Sequence, residues 1–156
     1  MTTPESRRAL TREELDDLAR RIKAWGRELG FQQVGIAGTD LAEDEARLRE
    51  WLRRARHGEM GYMARHGTRR SRPAELVPGT LRVVSVRMDY LPEDRGAMEA
   101  QLADPAKAFV SRYALGRDYP TLLRRRLQRL AERIEAAFGP FHRRVFVDSA
   151  PVLEKP

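Results

Sequence analysis

Cysteine is absent from all 156 residues. Disulfides, zinc–thiolate sites, thiol nucleophiles and iron–sulfur ligation by thiolate therefore cannot be built from this chain's own side chains. Histidine is scarce. His57, His66 and His142 are the three present, and nine positions separate the closest two, which is not the spacing of a helical or short-loop metal pair. No metal site is expected. No apolar run approaches the roughly 20 residues of a bilayer-spanning helix, and the opening MTTPESRRALTREE lacks the apolar centre of a secretory signal. The expectation is a soluble, cytoplasmic protein with no membrane partner. Gly35 and Gly38 stand without the further glycines and the lysine of a phosphate-cradling loop, so nucleotide hydrolysis is not expected. Ser111, His142 and Asp148 form a hydroxyl–imidazole–carboxylate set on paper, but their order and spacing match no local hydrolase signature.

What is present describes a folded chain. Hydrophobic residues make up 41% and charged residues 34%, a balance that separates it from disordered sequences, and the length suits one compact domain. A monomer is expected. The net charge of +7 fits a polyanionic partner such as RNA. Arginine supplies 27 of the 30 basic residues, and a compositional bias would give the same excess on a merely solvated surface.

Residues 1–10 are polar and unpatterned and read as a flexible N-terminus; residues 11–156 read as the domain. Thr11 and Glu14 form a capping-box pattern ahead of Leu15, Leu18, Ile22, Trp25 and Leu29, the signature of an amphipathic helix that Gly30 stops. Phe31 to Ile36 reads as a short strand. A second helix is predicted from an Asp40 N-cap, with Leu48, Trp51, Leu52 and Ala55 on one face and Gly58 at its end. Residues 57–79 are basic and glycine-punctuated, a long functional loop with room for one helical turn. Leu81 to Tyr90 alternates, with Val84, Val86, Met88 and Tyr90 on one face of a strand. Leu91 to Lys107 reads as a mobile surface connection with room for a short helix. Asp118 caps a further helix, with Pro120 in its first turn, a stripe of Leu123, Leu127, Leu130, Ile134 and Phe138, and a stop at Gly139-Pro140. Arg143 to Val147 reads as a last, buried strand. Strands separated by helices give an α+β fold, a small sheet packed with amphipathic helices.

Three groups of residues carry chemistry. Asp148 follows the apolar run Val145-Phe146-Val147, and a carboxyl at the end of a buried strand is partly desolvated, which favours its protonated form and suits proton donation. Asp before Ser-Ala-Pro is equally a helix N-cap, and local pattern favours that reading. Ser111, Arg112 and Tyr113, with Gly116, Asp118 and Tyr119, offer a hydroxyl, a guanidinium and aromatic faces for a large polar ligand, or an ordinary aromatic turn. Arg65, Arg69, Arg70 and Arg72 suit phosphate binding and a solvated loop equally.

The stretches LGFQQVGIA, HGEMGYMARH, PGTLRVVSVRMDY, SRYALGRDY and FVDSAPVLEK, in that order, resemble successive blocks of the bacterial epoxyqueuosine reductases, covering about Arg20 to Pro156. That family reduces epoxyqueuosine to queuosine at the tRNA wobble position, the last step of queuosine biosynthesis. The resemblance implies an N-terminal, nitroreductase-like, cobalamin-binding domain. It also implies cobalamin as cofactor, an external electron donor, and 4Fe-4S clusters that this chain does not ligate. The implied substrate is tRNA of the Tyr, His, Asn and Asp type carrying epoxyqueuosine. Asp148 falls on the family's proton-donating aspartate, Ser111 and Arg70 fall on positions lining the cobalamin site, and Arg112 and Tyr113 come with the Ser111 motif. Asp118-Tyr119-Pro120 departs from the family's D-Y-H, which puts the role of that histidine in doubt. The resemblance further implies a chain ending before the iron–sulfur region, and isolated activity is not expected. Two other readings stand beside it, a non-catalytic basic tRNA-binding module and an inactive gene fragment.

Overall fold

The computed structural model describes residues 10–90, 94–116, 118–148 and 152–153. The predicted flexible N-terminus lies, apart from Leu10, outside the described residues. The fold is α+β, with six α-helices and a two-stranded antiparallel sheet among the described residues.

Helix α1 spans Arg12–Glu28 and opens with the predicted capping box, Thr11 and Glu14 each bonding the other's backbone. It closes at Gly30, whose φ of +85° admits a left-handed turn, and Phe31 N–H donates to Gly26 O while Gly30 N–H donates to Arg27 O. Ile22 is buried, Leu18, Trp25 and Leu29 are half-buried, and Leu15 is exposed near the helix start. Strand β1, Gln33–Ala37, pairs with β2, Val83–Arg87, with Val34 opposite Val86 and Ile36 opposite Val84. Val34, Ile36, Val84, Val86 and Met88 are half-buried while Gly35, Ser85, Arg87 and Asp89 are exposed, as period-two alternation requires. Tyr90 departs from the predicted face and is exposed.

Helix α2, Ala42–Arg53, is shorter than expected at both ends. Leu41 occupies its N-cap position, and Asp40 instead accepts from Ala42 N–H one residue outside. Ala55 lies beyond the last turn with φ +52°, so it does not join the face of Leu48, Trp51 and Leu52. Residues 57–79 hold more local structure than a loop: α3 at Tyr62–Arg65, a 3-10 turn at Gly67–Arg70, and α4 at Pro73–Leu76. Residues Arg95–Ala103 form α5, the short helix for which the connection from Leu91 to Lys107 has room. Leu91, Pro92 and Glu93 lie outside the described residues.

Helix α6, Tyr119–Phe138, begins and ends where predicted: Asp118 accepts from Thr121 N–H at 3.2 Å, Pro120 sits in the first turn, and Gly139 has φ +93°. Leu130 and Ala131 are buried, Leu123, Leu127 and Ile134 half-buried, and Phe138 exposed. With Ile22 and Phe31, Leu130 and Ala131 form the buried apolar centre among the described residues, where α1 and α6 meet beside the sheet. Arg126 ties the layers, donating to Gly30 O at 3.4 Å and reaching Met88 Sδ at 3.0 Å.

The predicted last strand does not form. Residues 140–147 carry no strand pairing, although Val145, Phe146 and Val147 are half-buried. An apolar run becomes a strand only against a partner backbone, and the described sheet consists of β1 and β2 alone.

Candidate functional site

The start of α6 places Tyr119, the first residue after the Asp118 cap, so that its ring and hydroxyl are held by a well-anchored first turn. Its hydroxyl donates to Oδ2 of Asp148, across 29 residues of sequence. That bond, with lesser contributions from desolvation and the Asp148 charge, raises the phenol above its ordinary range. The ring of Tyr119 meets that of Tyr113 edge-on at 5.9 Å, and Tyr113 meets Tyr90 edge-on at 6.2 Å. Tyr113, Ala114, Gly116, Asp118 and Tyr119 line a cleft of about 340 Å³, and Asp148 adjoins it through Tyr119.

The expected burial of Asp148 is not found. Its side chain is exposed and its φ is +46°, a left-handed conformation that non-glycine residues adopt rarely. The missing strand is the reason, since desolvation was to come from a buried strand end. Ser149, Ala150 and Pro151 lie outside the described residues, and with them the helix that Asp148 was alternatively read as capping.

The other predicted residues fall into two groups. Tyr113 is on the cleft wall, and Ser111, exposed, opens the 3-10 turn Arg112–Ala114 that presents it. Arg112 points away: it is buried, donates to Gln101 Oε1 of α5 at 3.0 Å and stands over the Phe109 ring, so it braces the turn. Arg70 is also anchored on protein, donating to Met63 O at 3.2 Å and Tyr62 O at 3.1 Å. Its own carbonyl accepts from Leu153 N–H at 2.8 Å, which ties the segment after Asp148 to the 57–79 loop. Of the arginine cluster, Arg72 is committed to Glu45, and Arg65 and Arg69 are exposed. Sequence reasoning missed the Tyr119–Asp148 contact; the only local signal was an aromatic hydroxyl beside a helix cap.

The cleft suits a flat amphiphilic ligand. Tyr113 on its wall is exposed, and so, near it in sequence, are Phe109, Val110 and Leu115. A pocket that encloses a drug-sized molecule occupies roughly 300–1,000 Å³, so a cleft of about 340 Å³ would hold one edge of a larger ring-shaped ligand and provide one wall. The residues fit such a ring on that wall. Among the described residues no group of three or more His, Asp or Glu could hold a metal ion, and no helix is long and apolar enough to cross a membrane.

Fold and site together define a small α+β unit with a tyrosine–carboxylate pair beside an open aromatic cleft. Residues 70–149, a span that includes Arg70, Ser111, Arg112, Tyr113 and Asp148, match the family model described as epoxyqueuosine reductase QueG, DUF1730. The chain belongs to that family. It is 69% identical over 138 residues to the epoxyqueuosine reductase of Pseudomonas aeruginosa, covering 88% of this chain and 38% of the relative. It is 58% identical over 143 residues to that of Salmonella typhimurium, covering 92% and 37%, and 57% identical to that of Escherichia coli K12, covering 92% and 38%. The chain thus spans well under half the length of these curated relatives. No solved structure matches it.

Proposed function

We propose that this chain is the N-terminal, cobalamin-facing part of an epoxyqueuosine reductase, in which Asp148 delivers a proton to the oxygen leaving the epoxide of epoxyqueuosine in tRNA. The single observation that carries this reading is the family match over residues 70–149, which takes in Asp148 and the Ser111–Tyr113 turn together. When bound, cobalamin would supply the reducing electrons at its cobalt. Tyr113 and Tyr119 would form the aromatic wall against which ring and substrate pack, with Ser111 facing them from the turn. Arg112 braces the turn that carries Tyr113 through α5, and Arg70 ties the segment after Asp148 to the 57–79 loop through its carbonyl. A carboxyl keeps its proton near neutral pH only when withdrawn from water. Because Asp148 is exposed here, the withdrawal falls to the ligand and to whatever surface closes over it. The clusters, the external electron donor and the cytoplasmic setting belong to the same proposal.

The test uses the Pseudomonas aeruginosa relative with its corresponding segment replaced by this chain. That chimera should convert epoxyqueuosine-tRNA to queuosine-tRNA in a single turnover. Asp148→Asn keeps the shape but cannot act as a carboxylic acid, and should slow the step roughly a hundredfold at unchanged circular dichroism. Normal turnover by the Asn variant would leave Asp148 as a structural residue and defeat the assignment.

A further inference from the structure

We propose that Tyr119 is the positioning residue of Asp148: its phenol holds one carboxyl oxygen beside the cleft and stabilises the carboxylate left when Asp148 gives up its proton. The inference rests on the proposed reduction for the identity of the proton acceptor. It rests on geometry for the residue.

Tyr119 has one polar side-chain atom, and that atom is bonded to Asp148. The phenol is anchored from two sides. Its backbone is the first residue of a 20-residue helix capped by Asp118, and its ring is braced edge-on by Tyr113, which is braced in turn by Tyr90. Asp148, in contrast, is exposed, adopts a left-handed backbone and follows a segment with no strand pairing. Orientation therefore passes from the helix to the aspartate. The raised phenol keeps Tyr119 a donor through neutral and mildly alkaline pH, and a hydrogen bond to a charged acceptor is roughly twice as strong as one between neutral groups. In the proposed step one epoxide C–O bond breaks with its electron pair on the oxygen, which takes the Asp148 proton and stays as a hydroxyl on the neighbouring carbon; the opened carbon accepts two electrons from the external two-electron reductant, and loss of that hydroxyl as water, with a second proton from solvent, forms the alkene. Tyr119 keeps its own proton throughout.

The first measurement is an ultraviolet pH titration of the four tyrosines in the 156-residue chain. One phenol should ionise at higher pH than the others. Tyr119→Phe should remove that component, and Asp148→Asn should return it to the ordinary range. Four phenols ionising together, with no change in Asp148→Asn, would overturn the contact. The second measurement is the pH–rate profile of the chimera. Tyr119→Phe should lower kcat about ten- to a hundredfold with little change in KM and shift the limb that reports the acid, the loss expected for a hydrogen bond to a charged group. An Asp148→Asn variant that is inactive beside a Tyr119→Phe variant with wild-type rate and profile would reject the role of Tyr119 and leave the proposed function intact. Full activity in both would remove the function assigned to Asp148 itself.

Discussion

Arg72 grips Glu45 at two points, Nε donating to Oε2 and Nη2 to Oε1, each at 2.9 Å, and Glu45 is buried beneath it. Ser71 Oγ donates to the same carboxylate at 2.7 Å and Arg49 lies at 2.5 Å, so one residue of α2 clamps the 57–79 loop. The Arg72 hydrogen bond first, and the Ser71 bond second, lower the carboxyl from its ordinary 4.5 to about 2. The folded value lies below the unfolded one, so the stabilisation is complete above pH 4.5 and disappears as pH falls toward 2.

Glu45→Gln should therefore lower the urea midpoint at pH 7, and the difference from wild type should shrink steadily between pH 4.5 and 2. Denaturation curves across that range make the comparison. A difference that stays constant with pH would show that shape, not charge, holds the loop.

Gly26 is the close-approach point of α1 on β1, since a Cβ built there would stand 2.4 Å from Val34 Cγ2. Two effects oppose each other in Gly26→Ala. Helix propensity favours alanine by about 1 kcal/mol, whereas forcing a methyl into packed side chains costs about 1–3 kcal/mol. With a Cβ contact as short as 2.4 Å the clash should win, leaving a net loss of up to about 2 kcal/mol. A double-mutant cycle with Val34→Ala should show favourable coupling, because removing Cγ2 makes room for the new Cβ. Additive losses would place the strain elsewhere.

The elements that could be read from sequence are those whose signals are local. Thr11 with Glu14, Asp118 with Pro120, and Gly30 and Gly139 each act within one turn, so α1 and α6 begin and stop where their caps indicate. Val145 to Val147 has the composition of a strand, but a strand needs a partner that its own residues cannot supply, and the expected burial of Asp148 was lost with it. Arg70 and Arg112 were legible as important but not as braces, because their acceptors, the Tyr62 and Met63 carbonyls and Gln101, lie outside any motif. The bond between Tyr119 and Asp148 is of the same kind: it depends on where α6 begins relative to a segment 29 residues later.

The Asp118 cap sets where Tyr119 sits, so its loss should be felt at the site as well as in the helix. Asp118→Ala removes the acceptor of Thr121 N–H and should cost about 1 kcal/mol, while Asp118→Asn, an equally good cap, should cost little. Hydrogen exchange in the first turn of α6 should quicken in the Ala variant only. In that variant the high-pH phenol component should also move toward the others. Unchanged exchange would mean that contacts of the Tyr119 ring, and not the cap, fix the start of the helix.

The exposed arginines of α6 differ from those of α2. Arg47, Arg49, Arg53 and Arg54 each face a carboxylate within their own helix, whereas Arg124, Arg125 and Arg129 have no ion-pair partner among the described residues, and Arg133 is the first along α6 to pair, with Glu28 at 2.5 Å. Arg125 and Arg129, four residues apart, share one face of α6 and Arg124 adjoins Arg125 in sequence, so unneutralised charge lies along this helix. Phosphates contacting such groups release counterions, which makes affinity fall with salt by a slope that counts the contacts. Replacing Arg124, Arg125 and Arg129 together by Gln should weaken tRNA binding to the chain and reduce the logarithmic salt slope by about 2–3. The matched control replaces Arg47, Arg53 and Arg54 by Gln, the same change in net charge on a face where carboxylates already neutralise it. Its slope should change by less than about 1. Filter binding from low to moderate salt measures both, and equal losses in the two variants would mean that tRNA responds to the net charge of the chain and not to the exposed arginines of α6.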